Sequence, residues 1–288
     1  MSTQELGLLL GQLLFGADDL HYGLWEDDIP LNVSHLPQAQ QRYTNLLLSQ
    51  LPPLADGVCI LDIGCGTGHL LSQLLSFGYH ADGLVPSHVL AERVRKRLRE
   101  RAVCPAQVFE QTFELFDGDK YRDHYQAAVF SESFQYIPLE YSLPMLMKIV
   151  KPGGTVIICD FFRSQHAGDC GPGDRSFSGG HRMDAFYEQL KKHAFSIVRD
   201  DDITEKISPN MTLVNQILMQ KIVPAGHIFD KFLSDNHRFL YGPIKAVVKR
   251  LFRKKIRKAK YKYFSGNRSK EVFEHYKVYR LIVLTVDK

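Results

Sequence analysis

Residues 58–71, VCILDIGCGTGHLL, constrain this chain more than any other stretch, because fourteen residues combine a buried strand, three spaced glycines and a helix start. Val58, Cys59, Ile60, Leu61 and Ile63 form a nearly continuous apolar run, the pattern of a parallel strand covered on both faces. Asp62 interrupts that run just before the turn. Gly64, Gly66 and Gly68 admit positive φ and let backbone approach a ligand closely, while the helix behind them offers unpaired N–H groups. Such a unit delivers a ligand onto a helix N-terminus. The spacing D-x-G-x-G-x-G is not the dinucleotide pattern G-x-G-x-x-G, and the Lys and Ser/Thr of a phosphate-binding loop are missing.

Apolar patterning predicts further strands near 79–84, 106–109, 127–130, 155–159, 195–199 and 278–286, with helices over 87–99, 139–149 and 183–193. KPGG at 151–154 reads as a tight turn before the fifth strand. Strands alternating with helices at this interval predict an α/β fold with a doubly wound, mostly parallel sheet. Ahead of the sheet, apolar spacing at 8–14 and 43–51 predicts a helical N-terminal extension, and HYGLWEDD lies between the two stretches.

The glycine unit closely resembles motif I of the class I S-adenosylmethionine-dependent methyltransferases. The resemblance covers about 54–202 and resumes at the last strand, and it implies a seven-stranded sheet whose last strand is antiparallel. It divides the chain into an N-terminal helical extension or lid (1–54), a cofactor-binding core (55–202), a helical substrate cap (203–275) and a final core strand (276–288). S-adenosylmethionine is the implied cofactor, and a small hydrophobic or amphipathic molecule the implied acceptor. Asp62 would order the turn, and Gly64, Cys65, Gly66 and Gly68 would pass beside the cofactor's methionine part.

Other family positions are met unevenly. The acidic residue that takes the ribose hydroxyls aligns with Val85, which accepts no hydrogen bond, so Asp82 three residues earlier is the substitute, with a turn-stabilising role as its alternative. Thr112 stands where an acidic residue meets the adenine amine. SESFQYIP at 131–138 resembles motif IV, placing Glu132 and Phe134 beside the cofactor and Gln135 and Tyr136 beside the acceptor. Tyr22 resembles the aromatic residue that relatives lay near the sulfonium, which an aromatic face attracts. Trp25 and Tyr241 complete the expected acceptor contacts, with packing as the alternative for His21, Tyr22 and Trp25.

Methyl transfer from a sulfonium is an in-line displacement, so alignment and water exclusion matter most and a base is needed only for a protonated acceptor. His181, in a polar glycine-rich loop, is the first candidate base, with helix capping as its alternative; His21 is the second. No metal is expected, since the five cysteines at 59, 65, 104, 159 and 170 show no ligand spacing. Their odd, scattered set predicts a reducing cytoplasm.

The net charge of +4 conceals an asymmetry. From Tyr241 onward there are 15 Lys/Arg against 3 Asp/Glu, leaving 21 against 29 before it, so the body carries −8 and the C-terminal part +12. Ile244, Val247, Val248, Leu251 and Phe252 recur at helical spacing among lysines and arginines, predicting one basic amphipathic helix over 244–262. Three uses stay open: an anionic membrane surface, which would make the chain peripheral there, an acidic carrier protein, or a solvated face. Nucleic acid is disfavoured, because the acidic body offers no second basic face.

Overall fold

The computed structural model describes residues 21–100 and 106–288. The helical spacing at 8–14 and Cys104 lie outside them. Seven strands, β1 (Cys59–Ile63), β2 (His80–Leu84), β3 (Val108–Phe109), β4 (Tyr125–Ser131), β5 (Val150–Arg163), β6 (Phe195–Asp202) and β7 (Lys277–Val286), form one sheet in the order β3-β2-β1-β4-β5-β7-β6. The β1–β2, β1–β4, β2–β3 and β4–β5 pairs are parallel, and β7 runs antiparallel between β5 and β6. This is the expected doubly wound sheet with its inserted antiparallel last strand.

Why β1 reads as an unbroken apolar run is visible in its two faces. Ile60 packs into one core layer with Leu71 and Leu74 of α2 (His69–Ser76), Ala91 and Val94 of α3 (His88–Glu100), and Tyr43 and Leu47 of α1 (Leu36–Leu48). Leu61 and Ile63 face the other layer, with Leu143 and Leu146 of α4 (Leu139–Ile149) and Phe186 and Leu190 of α5 (Met183–Leu190). Each face is sealed by helices, so the strand is buried from Ile60 to Ile63.

Two local expectations are corrected. KPGG is not a turn ahead of the strand: Tyr125 pairs with Val150 but Ala127 with Thr155, so residues 151–154 bulge within a longer β5, with Gly153 at φ 70°. Among the described residues of the N-terminal extension, 21–32 form a loop and helix follows from residue 33. The basic helix is two helices, α9 (Arg238–Leu251) and α10 (Arg253–Phe264), broken at Phe252 with φ −100° and ψ 13°. Adjacent cations with no acidic partner one turn away give no side-chain pairing to carry one helix through that point.

The remaining insertion is helical as well: α6 (Thr204–Ile207), α7 (Pro209–Ile217), a π-helical turn Leu218–Ile222, α8 (Val223–Asn236) and α11 (Lys270–Tyr276). It packs unevenly. Met211, Leu213 and Ile217 are buried, whereas Ile228, Phe229 and Phe232 face solvent. Trp25, Ile29, Leu36, Ala39 and Leu213 form a small separate core that clamps the N-terminal loop to the insertion.

Candidate active site

The strand order reverses between β1 and β4, and open α/β sheets hold ligands at the C-terminal edge of such a switch point. The glycine turn leaves β1 there. Gly64, Gly66 and Gly68 take φ of 80°, 55° and 77°. A Cβ on Gly64 would lie 2.4 Å from the Ser133 Cβ, so the exits of β1 and β4 touch. The Ser133 hydroxyl donates to the Ile63 carbonyl across the same contact, and the Gly64 and Cys65 amides donate to the Leu84 carbonyl at 2.8 and 3.1 Å.

Asp62 sits beneath this turn. Its carboxylate accepts from the Leu71 N–H, yet Oδ2 is buried with no partner. Burial pushes the carboxyl up to about 7. A buried, unpartnered acceptor at a glycine turn suits a cationic, hydrogen-bond-donating group, so the residues present fit the methionine end of the implied cofactor. The ribose end is different. Asp82 is consumed by the fold: Oδ1 accepts from the Gln107 N–H at 2.9 Å and Oδ2 from the Tyr125 hydroxyl at 3.1 Å. Val85 is buried and donates its N–H to the Phe109 carbonyl. Thr112 is exposed and begins a short 3-10 turn without a side-chain capping bond.

The exit of β4 carries a second, half-buried acid. Glu132 holds a left-handed φ of 55°, a strained conformation for a non-glycine residue, and donates its N–H to the Cys159 carbonyl. Its Oε1 accepts from the Tyr22 N–H at 2.7 Å and the Tyr279 hydroxyl at 2.9 Å. The Tyr43 hydroxyl stands 3.1 Å from that of Tyr279 and donates to the Cys159 carbonyl at 3.1 Å. Burial pushes the Glu132 carboxyl up to about 8, against the pull of these donors.

Asp160 lies beside it, in the last part of β5. Its oxygens accept from the Gln135 N–H at 2.9 Å, the Gln135 Nε2 at 3.1 Å and the Phe161 N–H at 2.7 Å, and burial raises its carboxyl to about 7. Gln135 is therefore held in a fixed pose at the rim. Lys277, the first residue of β7, is 1% exposed; its ammonium donates to the Gly179 carbonyl and lies 4.3 Å from the centre of the Phe161 ring. Burial, then the like charge of Arg163, lowers it to about 7. The Tyr22 phenol lies within electrostatic reach of Glu132, Arg268, Tyr136 and Asp160, and burial raises its pKa.

The other expected contacts divide. Tyr136 is exposed beside this group, but Phe134 is fully buried among Phe130, Phe162 and Phe186, so only its backbone can face a ligand. Its carbonyl accepts from the His181 Nε2 at 3.1 Å, which puts His181 at the rim and leaves its Nδ1 as the basic nitrogen; the helix beginning at Met183 has no side-chain cap. His21 is tied by Nδ1 to the Tyr22 carbonyl and by Nε2 to Thr44 Oγ1, and it stacks on Tyr43. Burial lowers it to about 4, so it stays neutral and packs. Trp25 is buried, and its indole N–H donates to Asn210 Oδ1, which also accepts from the Gly23 N–H. It pins the lid to the insertion rather than meeting an acceptor. Tyr241 bonds to Asp230 and Lys245 on the insertion's outer helices.

Tyr43, Asp160, Lys277 and Tyr279 were missed from sequence. Asp160 had a signal: in TVIICD an aspartate interrupts an apolar run, as it does in VCILD. Among the described residues, the ligand atoms of Cys59, Asp82 and His124 come within 4.8 Å of one another, but Cys59 opens β1 at the edge opposite the turn and Asp82 is already bonded.

A model of a methyltransferase domain matches residues 35–196. The 27-O-demethylrifamycin SV methyltransferase of Amycolatopsis mediterranei (strain S699) is 29% identical over 157 residues, 53% of this chain and 54% of that protein. The chain thus spans about half the length of this relative. The O-methyltransferase resE of Aspergillus sclerotiorum is 24% identical over 230 residues, 76% of this chain and 83% of that one. Among solved structures, the [4+2]-cyclase SpnF superposes with a TM-score of 0.67 and 19% identity over 98% of this chain and 94% of its own. A geranyl diphosphate methyltransferase bound to GPP and sinefungin gives 0.67 and 16% over 96% and 92%.

Proposed function

The chain belongs to the methyltransferase-domain family that matches residues 35–196, and from that premise we propose that it is a class I S-adenosylmethionine-dependent methyltransferase acting on a small amphipathic acceptor. The observation that carries this reading is the open, buried Oδ2 of Asp62 beneath three left-handed glycines, at the point where the sheet order reverses.

When bound, S-adenosylmethionine supplies an electrophilic methyl group on a sulfonium. Asp62 and the glycine turn would hold its methionine end, and Tyr22 would turn an aromatic face toward the cationic centre. The Tyr22 N–H bond to Glu132 fixes the lid over the exit of β4, which excludes water from the transfer line. Glu132, raised to about 8, would take a proton from an acceptor hydroxyl or amine in its ionised form, which predominates above about pH 8. His181 Nδ1 is the second candidate for that proton. Asp160 orients Gln135 as a hydrogen-bonding group toward the acceptor.

Aromatic Tyr22 and Tyr136 alongside Arg268 and Lys277 favour an acceptor with an apolar body and a polar end. Val85 favours a second reading, a chain that binds the cofactor without transferring its methyl group, because no carboxylate stands at the ribose position. Incubation with methyl-labelled S-adenosylmethionine and a panel of phenols, terpenoid alcohols, lipids and amines tests the two. Labelled product, formed together with S-adenosylhomocysteine, is expected. Tight cofactor binding with neither product across the panel would favour the second reading.

A further inference from the structure

The outer helices of the insertion carry a surface that the cofactor site does not use. On α9, Ile244, Val247, Val248 and Leu251 fall at i, i+3, i+4 and i+7, along one face, and all are 44–72% exposed. Phe252 and Ile256, 46% and 45% exposed, continue the apolar set into α10. Residues 244–264 contain ten Lys or Arg and no Asp or Glu. Among the ion pairs of the described residues, only Lys245 of these ten has a carboxylate partner, Asp230 at 2.8 Å.

Soluble chains seldom leave such apolar patches in water. Here the patch lies among long cationic side chains, whose stems can lie along an apolar layer while their heads meet anions. We propose that α9 and α10 form a docking face for an anionic lipid surface, with Val247, Leu251 and Phe252 entering the acyl boundary and the lysines and arginines meeting phosphate headgroups. The charge asymmetry favours this occupant and sets its direction. The net −8 before Tyr241 is repelled by the same surface that attracts the +12 after it, so the chain meets the lipid insertion-first. A nucleic acid would leave the aliphatic residues unpartnered, since Val, Leu and Ile do not stack on bases. No helix among the described residues is long and apolar enough to cross a membrane, so the contact is peripheral.

Flotation of the purified full chain tests this, with vesicles of phosphatidylcholine alone and of equimolar phosphatidylcholine and phosphatidylglycerol. The chain is expected to float with the mixed vesicles and to stay behind with phosphatidylcholine alone. A triple variant Lys249→Glu, Arg250→Glu, Lys254→Glu and another, Val247→Ser, Leu251→Ser, Phe252→Ser, should each weaken partitioning at least about tenfold. Both should keep the parent affinity for S-adenosylmethionine, which shows that they are folded and separates this result from the fate of the cofactor site. No flotation with the mixed vesicles overturns the proposal, as does undiminished flotation of the serine variant. A native dimer that becomes a monomer in the serine variant overturns it too, because a second copy would then cover the face.

Discussion

The hydroxyl of Tyr279 donates to Oε1 of Glu132 across 2.9 Å, joining the final strand to the exit of β4. The Tyr22 N–H reaches the same oxygen at 2.7 Å, so the N-terminal loop, the fourth strand and the last strand converge on one carboxyl. That carboxyl sits at about 8 because burial outweighs its two donors. If it is the base, methyl transfer to a hydroxyl acceptor should rise with pH and level off above about 8. Tyr279→Phe removes a donor that favours the ionised form and should move the midpoint upward by about one unit. Glu132→Gln should remove the limb altogether. A pH–rate profile of the three proteins reads this out.

Asp62 sets stability against binding. Its carboxyl rises from 3.8 to about 7 on folding, so it binds its proton more tightly in the folded chain. The stability this confers is present below 3.8 and lost as pH climbs through about 7. Asp62→Asn should therefore raise the Tm of the cofactor-free protein at about pH 8, with the gain vanishing near about pH 4. The same change should weaken S-adenosylmethionine binding at least about tenfold, the loss expected for a charge-assisted hydrogen bond. Thermal melts with and without cofactor measure both.

Asp82 should behave in the opposite way. Its two bonds tie β2 to Gln107, just before β3, and to Tyr125, the first residue of β4. Asp82→Ala should cost about 1–3 kcal/mol in urea unfolding, since a buried N–H and a hydroxyl lose their acceptor. Cofactor affinity should stay at the parent value; a large loss would restore Asp82 as a ribose ligand.

Gly64→Ala combines two penalties. The position has φ 80°, and the new methyl would meet Ser133 Cβ at 2.4 Å. Destabilisation of more than about 1 kcal/mol is expected, together with weakened cofactor binding as the exit of β4 is pushed aside. Unfolding curves and calorimetry on the variant measure the two effects.

The sheet was legible because each central strand is covered on both faces and so reads as an apolar run, and because glycines mark where β1 turns. Asp62 was legible for the same reason: it breaks such a run at a ligand-bearing edge. Tyr43, Tyr279 and Lys277 were not, because their relation to Glu132 and Asp160 arises only when β7 inserts beside β5, and they lie as many as 236 residues apart along the chain. Trp25, His21 and Asp82 carry chemistry suited to a ligand. Their hydrogen-bonding capacity is taken up by Asn210, by Tyr22 and Thr44, and by Gln107 and Tyr125, partners that only the folded chain supplies. The exposed face of α9 followed the predicted periodicity, but an apolar stripe in a sequence does not reveal whether protein covers it.

The central claim is that the glycine turn and Asp62 form the cofactor's methionine-side pocket. Calorimetric titration of S-adenosylmethionine and S-adenosylhomocysteine into the purified chain tests it most directly. Saturable one-to-one binding of both is predicted, with Kd well below about 1 mM and a marked loss in Asp62→Asn. Absence of measurable binding of either ligand at about 1 mM, a concentration that detects interactions as weak as roughly −4 kcal/mol, would contradict it.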